Sequence, residues 1–202
     1  KPARYAGGEL NSVMKDKSKV ALRYAFCFPD TYEIGMSHLG MKILYGVANA
    51  REDTWCERVF APADDMEALM RANGEPLFAL ESGDPIKDFD MIGFTMQYEL
   101  SYTNILNMLD LAGVPLRAED RKSLTPIVAF GGPCACNPEP VAEFADIIFL
   151  GEGEETTNTV LDLLKECKEC GKSFWKQPCT FRAFMCRLFM RTATTRTAPC
   201  AP

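Results

Sequence analysis

Residues 20–30 of the chain read Val-Ala-Leu-Arg-Tyr-Ala-Phe-Cys-Phe-Pro-Asp, and this stretch decides the fold. Its apolar and aromatic body is typical of a buried strand, which the Pro29-Asp30 pair ends. Apolar residues at helical spacing follow over residues 36–50 and predict a helix. A buried strand that leads into a helix indicates the first β-α unit of a parallel sheet.

The same unit recurs along the chain. Strands are predicted at residues 54–60, 90–96, 126–130 and 145–150, with a short extra strand at 76–81, and helices at 64–72, 101–112 and from 151 to about 170. This alternation predicts an α/β fold with a doubly wound, mostly parallel sheet of about five strands, of the Rossmann or flavodoxin-like type. We expect one domain at residues 19–170, an N-terminal extension at 1–18 and an irregular tail at 171–202.

Composition narrows the functional class. With 202 residues, 47% of them hydrophobic, the chain can bury a core without disulfides, so its nine cysteines are expected to be reduced thiols. It has no apolar run long enough for a membrane span and no secretory signal, which predicts a cytoplasmic protein with no membrane partner. The net charge of -6 argues against nucleic acid as a partner. Residues 171–202 contain basic but no acidic side chains. This change in composition indicates a segment that does not belong to the preceding domain.

In doubly wound sheets, ligands bind beyond the carboxyl ends of the strands, where the winding reverses. The loops after the predicted strands supply polar and glycine residues that we expect to surround one cleft: Asp30, Tyr32, Gly35, Thr95, Gln97, Gly131, Gly132, Glu152 and Gly153. We predict no catalytic residue and no metal ligand. His38, the single histidine, is expected at a core or cleft-edge position, and the spacing of Cys167, Cys170, Cys179 and Cys186 does not suit a zinc site.

One of these loops carries a family resemblance. Asp30-Thr-Tyr-Glu-Ile-Gly35 resembles the Asp-x-His-x-x-Gly signature of cobalamin-binding domains, with Tyr32 at the position of the histidine. Thr95 and the Gly131-Gly132 pair resemble the hydroxyl residue and the two glycines that this family places around the nucleotide tail of the cofactor. Because tyrosine lacks the neutral nitrogen donor of histidine, the resemblance implies cobalamin bound without histidine ligation.

Two further loops resemble the end of the N-terminal domain of radical S-adenosylmethionine (SAM) proteins: Asn137-Pro-Glu-Pro140 and Gly151-Glu-Gly-Glu-Glu155. Residues 1–5, 28–46, 56–62 and 97–104 look like one uncharacterised subfamily of these iron–sulfur proteins, and the resemblance extends to about residue 170. It implies a partner domain in cis that binds a 4Fe–4S cluster and S-adenosylmethionine. The cluster spacing Cys-x-x-x-Cys-x-x-Cys is missing here, so we expect a chain truncated before its catalytic domain and inactive alone.

Two other interpretations stay open. The domain is a non-catalytic scaffold if Tyr32, Met36 and Met96 fill a degenerate pocket, with Asp30 and the acidic loop at Glu152 serving only as helix caps. Alternatively, it binds a nucleotide or flavin at the switch point, although no Gly-x-Gly-x-x-Gly follows the first strand.

Overall fold

A computed structural model describes residues 2–123 and 125–170, so the predicted irregular tail at 171–202 lies outside the described residues. A five-stranded sheet runs through the described chain in the order β2-β1-β3-β4-β5, and every pairing is parallel. The strands are β1 Leu22–Phe28, β2 Thr54–Phe60, β3 Met91–Thr95, β4 Ile127–Gly131 and β5 Ile147–Ile148. The predicted α/β class and the five parallel strands are confirmed.

In the described part of the chain, five α-helices connect and cover these strands: α1 Tyr32–Ser37, α2 Leu39–Asn49, α3 Asp64–Asn73, α4 Tyr102–Leu111 and α5 Gly153–Cys170. Short 3-10 turns occupy the loops at Pro2–Tyr5, Ile86–Asp88, Glu99–Ser101, Ala118–Asp120, Pro133–Cys136 and Glu139–Phe144. The predicted helix over 36–50 is interrupted at His38, which is extended and whose Nδ1 accepts a hydrogen bond from the Met41 amide as the N-cap of α2. The helix that we predicted to end near 72 stops where Gly74 adopts a φ of 69°.

The alternation of side chains along β1 divides the core into two layers. Tyr24 and Phe26 point to the face covered by α2 and α5, where they pack with Met41 and Leu164. Ala25 and Cys27 point to the opposite face, in the cluster that includes residues of α3 and α4. Helices therefore cover both faces of the sheet, which is the doubly wound arrangement.

Residues 77–84 form no strand, contrary to the prediction of a short one at 76–81. Phe78 in this segment forms an isolated bridge with Pro85, and Leu80 and Glu81 contact the outer edge of β2. The Leu80 amide donates to the Arg58 carbonyl, and the Glu81 carboxylate accepts from both the amide and the Nε of Arg58 at 2.7 Å. Because a side chain replaces part of the backbone ladder, the segment covers the edge of β2 without extending the sheet.

The predicted N-terminal extension packs against the same end of the sheet. The Lys15 ammonium donates to the carbonyl oxygens of Asn49, Arg51 and Thr54, so it satisfies backbone acceptors at the end of α2 and the start of β2. The Trp55 indole donates to the Val13 carbonyl at 2.9 Å.

Candidate functional site

A groove with a cavity of about 160 Å³ lies on the α2/α5 face, toward the carboxyl ends of β1, β3 and β4. From β1 the chain passes to β2 on one side and later to β3 on the other, so the switch point of the sheet lies between β1 and β3. Tyr24 and Phe26 of β1 and Thr95 of β3 line the groove. Its position is therefore the one at which sheets of this order bind ligands.

Small residues create the space at the floor of the groove. Gly93 of β3 and Ala129 of β4 face this layer of the core, beneath the ring of Tyr24. A Cβ added to Gly93 would lie 2.5 Å from the Tyr24 hydroxyl oxygen, so the tyrosine ring occupies the volume that a larger residue would need. A glycine at position 93 thus sets where the tyrosine hydroxyl lies.

The walls of the groove are formed by the helices α2 and α5. Leu44 of α2 faces the first turn of α5, where a Cβ added to Gly153 would lie 3.1 Å from the Leu44 Cδ2 atom. Gly153 therefore lets the two helices approach closely. His38 and Thr157 also line the groove, one from the N-cap of α2 and the other from α5.

Two hydroxyl groups in the groove have no hydrogen-bond partner among the described residues, those of Tyr24 and Thr157. Tyr24 is only 3% exposed and Thr157 only 4% exposed. Burial raises the pKa of the Tyr24 phenol well above its ordinary value, so the group stays protonated and able to donate a hydrogen bond. By contrast, Thr95 Oγ1 already accepts a hydrogen bond from Gln97 Nε2.

Among the nine residues predicted from the loops, Thr95, Gln97, Gly131, Gly132 and Gly153 line this groove. Glu152 is exposed in the loop just before Gly153, and its carbonyl accepts from Thr156. Gly132 has a φ of 96°, and a Cβ there would lie 2.8 Å from the Met96 carbonyl oxygen. The second glycine of the pair is therefore required by the close packing of two loops.

Tyr32 lies away from the groove, toward β2. Its hydroxyl donates to Glu9 Oε1 at 2.5 Å, and its ring meets the Phe60 ring edge-on with centroids 5.5 Å apart. The hydrogen bond to Glu9, together with burial, raises the pKa of Tyr32 to about 12. Gly35 lines a second cavity of about 420 Å³, between the N-terminal extension and α2. A Cβ on Gly35 would lie 2.3 Å from the Phe60 ring, so packing alone demands a glycine there.

Asp30 is engaged with the loop after β3. Its Oδ2 accepts from the Tyr98 hydroxyl at 2.6 Å, and its Oδ1 accepts from the Thr31 amide. The hydrogen bond to Asp30, with a contribution from burial, raises the pKa of Tyr98. The three residues of the Asp-x-Tyr-x-x-Gly loop therefore have partners of their own, and the groove is built mainly by the other loops.

The sequence reasoning did not single out Tyr24 and Thr157. The signal for Tyr24 was available, because the alternation along β1 puts it on the same face as Phe26. For Thr157 the helical spacing to Val160, Leu161 and Leu164 marked a buried face of α5. His38 lies half-buried at the groove, which agrees with the predicted cleft-edge position.

The other expectations concern thiols, metals and membranes. Cys27, Cys56, Cys134, Cys136, Cys167 and Cys170 are free thiols, and burial raises the pKa of Cys27 and Cys56 well above the usual value. Within residues 2–123 and 125–170, no three His, Cys, Asp or Glu side chains are grouped as metal ligands. Over the same residues, every helix is too short or too polar to cross a membrane.

Comparisons with known proteins place the chain in a family. Over 81 residues it is 37% identical to the uncharacterised protein MJ0966 of Methanocaldococcus jannaschii, a stretch that covers 39% of this chain and 16% of that protein. The chain therefore matches only a small part of this relative. No solved structure matches it. The family of N-terminal regions of radical SAM proteins matches residues 40–182, well over half of the chain and past residue 170, where we had expected the resemblance to end. The chain belongs to the family of radical SAM proteins, N-terminal region.

Proposed function

We propose that this domain is the module of a radical SAM protein that holds the nucleotide tail of a cobalamin in its switch-point groove, with no histidine ligand to the cobalt. The observation that carries the proposal is the set of residues at the groove. Thr95 and the Gly131-Gly132 pair line it, at the loops where the resemblance to cobalamin domains puts the tail. The position between β1 and β3 is the ligand site of sheets with this strand order.

The size and the lining suit one part of the cofactor. A cavity of about 160 Å³ is smaller than the roughly 300–1,000 Å³ typical of sites for whole drug-sized ligands. The apolar side chains of Phe26, Leu44 and Phe149 line it, and a flat ring would lie against them. The nucleotide base would enter, and the macrocycle would stay outside against the loops.

The geometry of Tyr32 favours cobalamin without a protein ligand from this loop. Its hydroxyl already donates to Glu9, and its ring packs on Phe60. A bound cobalamin would supply its cobalt to a catalytic domain in cis, which by family resemblance holds the 4Fe–4S cluster and S-adenosylmethionine. We propose that this protein acts in the cytoplasm.

The test is a spectroscopic titration of the 202-residue chain with hydroxocobalamin and with cobinamide, which lacks the nucleotide tail. We expect cobalamin to bind and cobinamide to bind at least about tenfold more weakly, since the tail supplies the contacts in the groove. Gly131→Leu should abolish cobalamin binding because its side chain would enter the groove beside Phe149. Gly46→Leu is the matched control, since Gly46 lines the second cavity and has open space around it. Equal binding of both compounds would refute a role for the tail.

A scaffold without cofactor is the second candidate. It is favoured by the internal partners of Asp30 and Tyr32, and by the fact that loop packing alone explains the glycine at 132. This function predicts that neither hydroxocobalamin, flavin mononucleotide nor adenosine triphosphate binds in the same titration. Binding of flavin or nucleotide alone, sensitive to Gly131→Leu, would instead identify the nucleotide or flavin alternative.

A further inference from the structure

We infer that Tyr24 is the specificity-determining residue of the groove, and that its hydroxyl donates a hydrogen bond to an unprotonated ring nitrogen of the bound heterocycle. This inference rests on the proposed function only in taking the groove as the site of a flat aromatic ring. It goes further by naming the residue that recognises the ring and the chemical group that is recognised.

The first argument is that the Tyr24 hydroxyl serves no purpose in the core. Tyr24, Phe26 and Phe28 all point to the α2/α5 face of β1, and a phenylalanine at position 24 would supply the same ring. Nearly all buried polar groups in native proteins have a hydrogen-bond partner, and leaving one without a partner is destabilising. Tyr45, which packs in the same layer, follows this rule, because its hydroxyl accepts from the Val13 amide at 2.7 Å. The hydroxyl of Tyr24 has no such partner among the described residues and faces the groove.

A second hydroxyl with the same property faces the same groove. On α5, the Thr156 and Thr159 hydroxyls donate to carbonyls four residues earlier, at 2.9 and 3.1 Å. The Thr157 hydroxyl between them makes no such bond among the described residues, although Thr157 is 4% exposed and lines the groove. Two almost fully buried side chains, one on a strand and one on a helix, thus present to the groove hydroxyls that lack a partner in the described part of the chain, and this indicates a groove built for a polar ligand edge.

The lining defines the chemistry of that edge. None of the described residues that line the groove is an aspartate, glutamate, lysine or arginine, so a neutral ligand is favoured. Phe26, Leu44 and Phe149 offer apolar surface for the faces of a ring. Because burial keeps the Tyr24 phenol protonated, it presents a donor, and an aromatic nitrogen with a free lone pair is the matching acceptor. The Thr157 hydroxyl would then serve a sugar hydroxyl attached to the ring.

The experiment uses two probes that differ by one ring nitrogen. N-methylbenzimidazole carries the acceptor nitrogen and N-methylindole does not, and both resemble a base whose other nitrogen is substituted. Affinities are measured by ligand-detected NMR titration of the full chain and of the Tyr24→Phe variant. We expect the wild type to prefer the benzimidazole, and Tyr24→Phe to weaken its binding by about three- to tenfold with no change for the indole.

A stability measurement separates recognition from folding. Tyr24→Phe should unfold at the same or a higher denaturant concentration than the wild type, because the change removes a hydroxyl that makes no hydrogen bond within the described residues. Tyr45→Phe is the matched control, which should unfold at a lower concentration and bind benzimidazole as the wild type does, since Tyr45 bonds Val13 and lines the second cavity.

The outcomes distinguish this inference from the cobalamin proposal. If Tyr24→Phe binds benzimidazole as tightly as the wild type, or the wild type binds neither ring, the role of Tyr24 is refuted. Hydroxocobalamin binding that Tyr24→Phe leaves unchanged would refute the role of Tyr24 and leave the cobalamin proposal standing. Ring binding that depends on Tyr24, without cobalamin binding, would support the role of Tyr24 and refute cobalamin as the ligand.

Discussion

Replacing Gly93 with alanine should destabilise the domain by compressing the floor of the groove. The new methyl carbon would lie 2.5 Å from the Tyr24 hydroxyl oxygen, 2.8 Å from Cε2 and 3.0 Å from Cζ. Comfortable contacts between carbon atoms are roughly 3.5–4.0 Å, so the tyrosine ring must move by about 1 Å. Tyr24 is 3% exposed and its ring packs against that of Phe26 at 5.7 Å, so the movement would either disturb this packing or take up space in the groove.

Overpacking of this kind costs about 1–3 kcal/mol, and the stiffer backbone of alanine returns about 0.5–1 kcal/mol. We therefore expect the free energy of unfolding to fall by about 1 kcal/mol, measured by guanidinium denaturation. Combining Gly93→Ala with Tyr24→Phe removes the closest contact, so the double variant should recover part of the loss. Gly46→Ala is the control, since nothing lies within 4 Å of its added carbon. Wild-type stability of Gly93→Ala together with zero coupling to Tyr24→Phe would show that the ring does not lie over Gly93.

Three other substitutions test separate parts of the structure. Gly132→Ala should lower the free energy of unfolding by about 1–3 kcal/mol, because the residue has a φ of 96° and its Cβ would lie 2.8 Å from the Met96 carbonyl oxygen. Chemical denaturation measures this change, and an unchanged midpoint would contradict the loop geometry. Burial opposes ionisation of Asp53, but hydrogen bonds from Lys165, Arg51 and Thr54 outweigh it and lower the pKa of the carboxyl to about 2. The resulting stabilisation is present above about pH 4 and is lost as the pH falls toward about 2. Asp53→Asn should therefore reduce the free energy of unfolding by about 1–2 kcal/mol at neutral pH and by much less in acid. Chemical denaturation at both pH values measures this difference. Lys15→Met leaves three carbonyl oxygens without their shared donor and should reduce stability by about 1.5–3 kcal/mol, whereas Lys19→Met, at an exposed residue near it in sequence, should change it little.

The fold could be predicted because each local pattern agreed with the same architecture. The apolar run of β1 and the Asn73-Gly74 stop of α3 are local signals, and the structure follows both. The interruption at His38 was not predictable from apolar spacing, because it depends on a side-chain bond to the Met41 amide. Residues 77–84 depart from the prediction for a similar reason, since their partner is the distant Arg58.

In the candidate site too, some residue positions could be predicted from the sequence and others could not. Thr95, Gly131 and Gly132 lie at the groove because the carboxyl ends of neighbouring parallel strands share one edge, a consequence of topology alone. The direction of the Tyr32 side chain was beyond reach of such reasoning, because it is set by Glu9, more than twenty residues earlier. Tyr24 was not identified as a site residue from the sequence, because an aromatic residue in a buried apolar strand is first interpreted as a core residue.

The cover on β2 also bears on how these molecules behave at high concentration. A bare edge strand offers a row of amides and carbonyls to any other extended chain, and this is a common route to aggregation. Leu80, Glu81 and Ser82 engage the amide and carbonyl of Arg58 and the carboxylate of Glu57, so an intruding strand finds these positions of β2 already taken. At the far side, β5 offers only Ile147–Ile148, too little for a stable intermolecular ladder. Both edge strands are thus protected against pairing with strands of other molecules, β2 because a segment of the same chain covers it and β5 because it is short.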